Sequence, residues 1–247
     1  MPKNGSFLAF DTSTDVMSIA LTNGAHTSGP MRVWQHNGPG GAKASTTLIP
    51  AILALLAEAG LVLGDLQAIA FGRGPGSFTG LRTACAVAQG LAFGANGGVS
   101  VPVLPIDTLM AVAEAARQQN ETARITALLD ARMDEMYVQR YACNQGVFTK
   151  LGDCELVRPE NLLTEPDTLY AGNVFEVYRG RLSDGLTSVT CLPTATAMLR
   201  LAPQLAASGL CVPAAQALPL YVRDKVAQTT QEREQIKALK LQAISNP

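Results

Sequence analysis

The feature that most constrains this chain is a glycine-rich segment, residues 72–82, which reads Gly-Arg-Gly-Pro-Gly-Ser-Phe-Thr-Gly-Leu-Arg. It follows a short apolar run, residues 68–71, and leads into a stretch of small residues with the pattern of a helix. Glycine adopts backbone angles that other residues avoid and lets another group approach the main chain closely. Ser77 or Thr79 can cap the helix, whose free N–H groups and dipole favour an anion. The segment therefore predicts a close approach, either to a phosphate or to another protein.

The glycine-rich segment does not match the common phosphate-binding or catalytic motifs. A P-loop ends in Gly-Lys-Ser/Thr, and this segment has no lysine. A dinucleotide-binding fingerprint that starts at Gly72 and Gly74 requires a third glycine where the chain has Ser77. A hydrolase nucleophile elbow around Ser77 requires glycine at the position of Pro75. None of these three motifs explains the segment.

The composition indicates a protein with a packed core and no strong charge. Of 247 residues, 47% are hydrophobic and 16% are charged, so wholesale disorder is not expected. The formal net charge of −1 carries no sign of a nucleic-acid-binding surface. Five cysteines without a Cys-x-x-Cys pair predict free thiols in a reducing compartment. The first residues lack a signal-peptide core and no apolar run is long enough to cross a membrane, so a cytoplasmic protein is expected.

Candidate catalytic groups are few. The two histidines, His26 and His36, lie far from any serine or cysteine motif and cannot form a histidine-rich metal site. Asp11, at the end of the first predicted strand, can bind a metal–phosphate through water or accept backbone hydrogen bonds in its own turn. Asp130 and the charged residues after it can form the rim of a cleft or a simple charged turn. The candidates for cofactor binding are Asp11, Thr12, Ser13, Gly74, Gly76 and Ser77.

Two successive blocks of strands and helices follow one another along the chain. The first has strands at residues 7–11, 16–21, 31–35, 68–72 and 101–104, and helices at 45–59 and 80–93. The second has strands at residues 125–130, 136–141, 147–149, 155–157 and 169–172, and helices at 108–118 and 194–207. The repetition predicts an α/β protein of duplicated architecture. The predicted parts are an N-terminal lobe over residues 1–106, a C-terminal lobe over 107–222, and a charge-dense tail over 223–247 that is frayed or forms a helix able to pack on the N-terminal lobe.

The first two long helices carry almost no charge. Residues 45–60 contain one charged residue, Glu58, and residues 80–96 contain one, Arg82. A helix beside a sheet normally keeps one polar face, so these helices are either buried or covered by another subunit. We expect an interface with another subunit, where small residues let helices approach closely. The predicted contact residues are Leu48, Ile49, Ile52, Leu53, Leu56, Arg82, Cys85, Ala88, Gln89 and Ala92.

Several segments resemble the bacterial TsaB family, which is also called YeaZ. The most specific match is the glycine-rich segment together with the strand before it. The match continues through residues 89–92, 107–110, 129–137 and 219–223, and residues 10–13 look like the family's opening strand and turn. The resemblance covers residues 6 to about 227.

This resemblance implies an actin- and Hsp70-like fold of two related α/β lobes with mixed sheets. It also implies a role in forming N6-threonylcarbamoyladenosine at position 37 of tRNAs that read ANN codons, as the non-catalytic partner of TsaD. In that pathway TsaD carries the ATP, the metal ion and the transfer chemistry, and works with TsaE and the enzyme that makes threonylcarbamoyl-adenylate. The chain is thus expected to bind no cofactor itself, to pair with TsaD or with itself, and to contact tRNA mainly through the complex.

The chain differs in three respects from the related proteins on which these expectations rest. Nucleotide-binding members of the superfamily favour Asp-x-Gly phosphate turns, whereas here Ser13 and Arg132 take the glycine positions after Asp11 and Asp130. A side chain in each turn is expected to hinder the approach of a phosphate. The metal-binding histidines of the catalytic relatives have no equivalents, and Ala44 stands where many TsaB sequences keep a histidine. The alternative function is an ATP-binding enzyme, an ATPase or transferase, with its site between the lobes.

Overall fold

The computed structural model describes residues 5–24, 32–95, 100–117 and 123–223, which form two mixed β-sheets with α-helices packed against them. The strands are β1 (Phe7–Asp11), β2 (Val16–Thr22), β3 (Val33–Pro39), β4 (Ala68–Gly74), β5 (Val103–Asp107), β6 (Arg124–Arg132), β7 (Glu135–Asn144), β8 (Val147–Lys150), β9 (Glu155–Val157), β10 (Leu169–Gly172) and β11 (Ser188–Thr190). The helices are α1 (Ala44–Ala59), α2 (Phe78–Gly94), α3 (Thr108–Arg117) and α4 (Ala195–Ala207).

The two sheets repeat one arrangement. The first has the strand order β3-β2-β1-β4-β5, and the second has the order β8-β7-β6-β10-β11, with β9 also paired to β7. In each sheet three antiparallel strands continue into parallel neighbours, namely β1 with β4 and β5, and β6 with β10 and β11. The predicted α/β class is therefore confirmed. Between β8 and β10, all of it described, the second sheet has no α-helix to match α1.

Helices cover both faces of the first sheet. Successive residues of a strand point to opposite faces, so Leu8 and Phe10 of β1 pack with α1 and α2, whereas Phe7 and Ala9 pack with α4. All five residues of β1 are buried as a result. Helix α4 comes from the predicted C-terminal lobe and completes the core beneath the N-terminal sheet.

Helix α3 lies between the two sheets. Its side chains Leu109 and Val112 pack against β6 and β10 of the second sheet. Its Glu114 is 1% exposed and forms ion pairs with Arg117 and with Arg200 of α4, at 2.7 Å in each case. Burial of the Glu114 carboxylate without these two cations would be strongly unfavourable. The ion pair between Glu114 and Arg200 therefore holds α3 against α4.

Some element boundaries differ from the sequence prediction. Strand β5 runs from Val103 through Pro105 to Asp107 rather than over 101–104, because an edge strand tolerates the missing N–H of proline. Strand β3 extends to Pro39, and the predicted start at Met31 lies outside the described residues. The three-residue β11 is not predicted from sequence.

Two further predictions concern the chain ends and the lobes. The tail beyond residue 223 lies outside the described residues, and so does His26. The lobe boundary at residue 106 stays a prediction. No helix in the described part of the chain combines the length and apolarity that a membrane crossing requires.

Candidate functional site

A cavity of about 400 Å³ lies between the two sheets, and we refer to it as the interlobe cleft. Its wall includes the turn after β1, the start of α2, the hairpin between β6 and β7, and the end of the described chain. Of the six candidates for cofactor binding, Ser13, Gly76 and Ser77 line the cleft. The other three are Asp11, Thr12 and Gly74, which are buried and not among its lining residues.

Asp11 is fully buried, and both of its carboxylate oxygens accept hydrogen bonds from the chain. Oδ1 accepts the backbone N–H of Ser13 at 2.8 Å and its hydroxyl at 2.6 Å, and Oδ2 accepts the hydroxyl of Thr108 at 3.3 Å. Burial raises the pKa of Asp11, and the hydrogen bonds from Ser13 and Thr108 partly offset that effect. A β-carbon at Gly72 would lie 1.8 Å from Oδ2, so this carboxylate is also enclosed sterically. Of the two roles open from sequence, the geometry matches that of a hydrogen-bond acceptor in its own turn.

The glycine-rich segment packs directly on this first turn. The N–H of Ser77 donates to the carbonyl of Ser13 at 2.8 Å, and the hydroxyl of Thr12 donates to the carbonyl of Gly80 at 2.7 Å. A β-carbon at Gly80 would lie 1.9 Å from the carbonyl oxygen of Thr12. The close approach in the structure is therefore to another part of the same chain, whereas the sequence analysis predicted a phosphate or another protein. The predicted capping is also wrong for Ser77, which holds the N-cap position without a side-chain capping hydrogen bond.

Residues 217–223, which we name the closing segment, cover the other side of the glycine-rich segment. The N–H of Leu220 donates to the carbonyl of Arg73 at 2.7 Å. Gly74 has a φ of +121°, and a β-carbon there would lie 2.6 Å from the carbonyl oxygen of Leu220. The ring of Tyr221 packs against that of Phe78 at a tilt of 36°, with 5.4 Å between centroids. The start of α2 is thus held between the first turn and the closing segment.

The second turn, at the β6–β7 hairpin, reaches across the cleft through an arginine. Arg132 donates from Nη2 to Asp15 in the first turn at 3.0 Å and pairs through Nη1 with Asp130 at 3.3 Å. Asp130 also accepts the hydroxyl of Tyr178 at 2.7 Å. Burial and this hydrogen bond raise the pKa of Tyr178, so its hydroxyl remains a donor. Asp130 is therefore a partnered residue at the cleft rim, and sequence reasoning did not predict that Arg132 spans the cleft.

The backbone of this hairpin is strained. Arg132, Met133 and Asp134 have φ values of 61°, 57° and 61°, a left-handed conformation that is costly for residues other than glycine, aspartate and asparagine. Arg223 of the closing segment supports the hairpin by donating to Glu135 at 2.6 Å and to the carbonyls of residues 131 and 132 at 3.3 Å. The side chains of Arg132 and Arg223 therefore hold the hairpin in place on the side that faces the cleft.

The predicted interface residues of α1 and α2 separate into two groups. Six of them pack into the core of the first sheet and are at most 6% exposed, namely Leu48, Ile52, Leu56, Cys85, Ala88 and Ala92. This corrects the prediction for these six, because their side chains face the sheet. Ala44, at the position of the family histidine, is also fully buried.

The remaining four predicted interface residues lie at the surface. Ile49 is 42% exposed and Leu53 is 50% exposed. Arg82 and Gln89 hold the closing segment, because Arg82 donates to the hydroxyl of Tyr221 at 3.1 Å and Gln89 donates to the carbonyl of residue 217 at 2.9 Å.

The outward side of α1 and α2 forms an apolar surface that we name the outer helix face. Its large side chains are Ile49, Leu53 and Phe93, the last of which is 58% exposed. The small exposed residues around them are Ala54, Ala57, Ala86 and Gly90. Glu58 and Arg82 are the charged residues of these two helices. Sequence reasoning did not include Phe93, whose large exposed ring adds to the same surface.

Comparison with known proteins identifies the family. Residues 40–244 match the family model of TsaD, the tRNA N6-adenosine threonylcarbamoyltransferase. The tRNA threonylcarbamoyladenosine biosynthesis protein TsaB of Haemophilus influenzae is 32% identical over 237 residues, which is 91% of this chain and 96% of that protein. The TsaB protein of Escherichia coli is 32% identical over 233 residues, or 89% and 95% of the two chains.

A solved structure supports the same assignment. The structure of YeaZ from Pseudomonas aeruginosa superposes with a TM-score of 0.76 at 36% identity, covering 88% of this chain and 99% of that one. With the two mixed sheets, this likeness confirms the predicted actin/Hsp70-like fold of related α/β lobes. The chain belongs to the family described by the TsaD model and, within it, to the TsaB (YeaZ) proteins of tRNA threonylcarbamoyladenosine biosynthesis.

Proposed function

We propose that this chain is the non-catalytic partner and stabilising subunit of TsaD. In this role it supports formation of N6-threonylcarbamoyladenosine at position 37 of tRNAs that read ANN codons. Its curated relatives carry the name of a biosynthesis protein of this nucleoside, and its family model is that of the transferase. The observation that carries the proposal is the outer helix face.

The outer helix face has the composition of an association surface. Ile49, Leu53 and Phe93 are all more than 40% exposed. Large exposed apolar patches are uncommon on monomers and mark sites of interaction, and these three exposed side chains lie on two helices that contact each other. Small residues such as Ala86 and Gly90 beside them let a partner helix approach closely. We assign this face to the matching helices of TsaD in a heterodimer, and to a second copy of the chain in a symmetric homodimer when TsaD is absent.

The interlobe cleft supports the non-catalytic part of the proposal. The carboxylate of Asp11 is buried and hydrogen-bonded within the chain, and Arg132 bridges the two turns where phosphates would approach. In this account ATP and the metal ion belong to TsaD. TsaE joins the larger complex, and tRNA is contacted mainly through the complex rather than through this chain alone.

The second candidate is an ATP-binding enzyme, and the cavity of about 400 Å³ between the lobes is the observation that favours it. The residues fit this role poorly, because both oxygens of Asp11 are engaged and a β-carbon at Gly76 would already lie 2.6 Å from Ser13. Within the described residues, no group of three or more His, Cys, Asp or Glu side chains can hold a metal ion. Calorimetry with ATP and Mg²⁺ separates the candidates, because micromolar binding that is lost in Asp11→Ala would support the enzyme.

Reconstitution of the reaction tests the proposal. Purified TsaD, TsaE, the enzyme that makes threonylcarbamoyl-adenylate and a tRNA reading an ANN codon are combined with and without this chain. We expect modified adenosine only when the chain is present, and none from the chain without TsaD. Arg132→Ala removes the ion pairs with the exposed Asp15 and with the largely buried Asp130, and we expect the folded variant to keep product formation. Full activity without the chain, or loss of activity in Arg132→Ala with unchanged folding, would contradict the proposal.

A further inference from the structure

A second cavity, of about 320 Å³, lies where the ends of β4 and β5 meet β7 and β8 of the other sheet. It shares only residues 220 and 222 of the closing segment with the interlobe cleft, so its functional groups are different. Its apolar wall includes Pro75, Leu109, Leu220 and Val222. Its main polar and charged lining residues are Arg73, Asp107, Gln139, Tyr141, Lys150 and Asp153.

Tyr141 is the unusual member of this lining. Its side chain is fully buried, and its hydroxyl has no hydrogen-bond partner in the described part of the chain. Its ring packs edge-on against Phe148, with 5.8 Å between centroids. Burial raises the pKa of Tyr141 well above its ordinary value, so the hydroxyl stays protonated and can donate. Buried hydroxyls are rarely left unpaired, which indicates an acceptor that the chain does not supply.

The cavity also holds two cationic side chains that share one buried carboxylate. Oδ1 of the buried Asp107 accepts Nε of Arg73 at 2.5 Å, and its Oδ2 pairs with the ammonium of Lys150. The two terminal nitrogens of Arg73 have no hydrogen-bond acceptor among the described residues. Two cations therefore share one buried carboxylate. The other acidic lining residue, Asp153, is exposed, and the side chains of Arg73 and Lys150 are 37% and 41% exposed, so solvent and salt screen all three of these charges in part.

We propose that this second cavity binds the carboxylate of a small organic acid. The carboxylate accepts hydrogen bonds from Tyr141, Arg73 and Lys150, and the rest of the acid packs on the apolar wall. The ligand's carboxylate adds a second acceptor beside the two cations that share Asp107, and the volume is at the small end for ligand sites. The hydroxyl of Tyr141 is closed to solvent in this conformation, so the ligand enters as a lining side chain moves. Lys150, with 41% of its side chain exposed on a flexible stem, is suited to that movement.

A titration of the chain, residues 1–247, followed by NMR tests this assignment. Butanoate and inorganic phosphate are added separately at constant ionic strength, and the amide shifts of Tyr141 and Lys150 are followed. We expect saturable shifts with butanoate and none with phosphate. Tyr141→Phe should weaken butanoate binding about tenfold or more, because a hydrogen bond to a charged group is lost. Without ligand the same variant should melt at an equal or higher temperature, because the hydroxyl it removes has no partner.

Tyr170→Phe is the matched control. Tyr170 is also buried in the second sheet, but its hydroxyl accepts the N–H of Glu165 at 2.7 Å. This variant should melt at a lower temperature and bind butanoate as the wild type does. Equal butanoate affinity in the wild type and Tyr141→Phe would overturn the proposal, as would linear shifts that never saturate. Saturable binding of phosphate but not butanoate would overturn the assignment to a carboxylate.

Discussion

The interlobe cleft and the outer helix face are surfaces of opposite character, although both involve α2. In the cleft, polar side chains are paired within the chain, as Arg132 is with Asp15 and Asp130. On the outer helix face, large apolar side chains such as Leu53 and Phe93 stand exposed. A cleft whose polar side chains are paired within the chain, together with an exposed apolar surface on the helices, fits the proposed role of a subunit that acts by association. The glycine-rich segment connects the two surfaces, because it fixes the start of α2 on the first turn.

The largest effect on stability is expected from Gly80→Ala. Its β-carbon would lie 1.9 Å from the carbonyl oxygen of Thr12, so α2 must shift away from the first turn. We expect the free energy of unfolding to fall by about 2–3 kcal/mol, as overpacking in a core typically costs. Urea denaturation measures this change.

Gly90→Ala in the same helix is the matched control. A β-carbon at Gly90 meets no heavy atom within 4 Å, so the substitution adds helix propensity without a clash. We expect the free energy of unfolding to rise by about 0.5–1 kcal/mol. Equal effects of the two substitutions would show that the segment does not hold α2 on the first turn.

The next effect concerns Asp11. Asp11→Ala leaves the buried N–H of Ser13 without its acceptor, so we expect a loss of about 1–3 kcal/mol in the free energy of unfolding. Chemical denaturation at neutral pH measures it. Unchanged stability would mean that the carboxylate does not hold the turn. Asp11 would then again be a candidate for binding a ligand.

The pH dependence of stability gives a separate test of the same carboxylate. Because burial raises the folded-state pKa of Asp11 above its ordinary value of 3.8, the folded state binds this proton more tightly than the unfolded state. The stability of the wild type relative to Asp11→Asn should therefore be greatest below that value. This relative stability should fall as the pH rises from 3.8 through the raised pKa of Asp11. A relative stability that rises with pH over this range would contradict a desolvated carboxylate.

The smallest effect is expected at the strained hairpin of the second turn. Met133 has a φ of 57° and is 56% exposed, and asparagine tolerates this conformation better than methionine does. We expect Met133→Asn to raise the free energy of unfolding by about 0.5–1 kcal/mol and to leave binding of TsaD unchanged. Thermal denaturation and a pull-down with TsaD measure the two quantities. A loss of TsaD binding would place the cleft side of the molecule in the interface.

The sequence predicts most of the secondary structure because its strands are short apolar runs between clear turns. Strands β1, β9 and β10 have the predicted bounds, and α1, α2 and α4 differ from prediction by at most two residues at either end. The three-residue β11 has no such signal, because Ser188 and Thr190 are polar and only Val189 lies between them.

The candidate site is predictable only in part. Both sides of α1 are apolar, so the pattern of Leu48, Ile49, Ile52 and Leu53 cannot show which of them face the sheet. The contact between Thr12 and Gly80 joins positions 68 residues apart, and nothing in the local sequence specifies it. The glycines do indicate that something approaches closely, but the partner is visible only in the folded chain.

The central claim is that the outer helix face binds TsaD, and the mass of the complex tests it most directly. Purified TsaD is mixed with the wild type, with Leu53→Glu, or with Leu163→Glu, whose leucine is 69% exposed beside the second sheet. Analytical ultracentrifugation should give a heterodimer with the wild type and with Leu163→Glu. Leu53→Glu should weaken association about 30-fold or more, since it places a charge in the middle of the contact. Equal affinity of the two glutamate variants for TsaD would contradict the account.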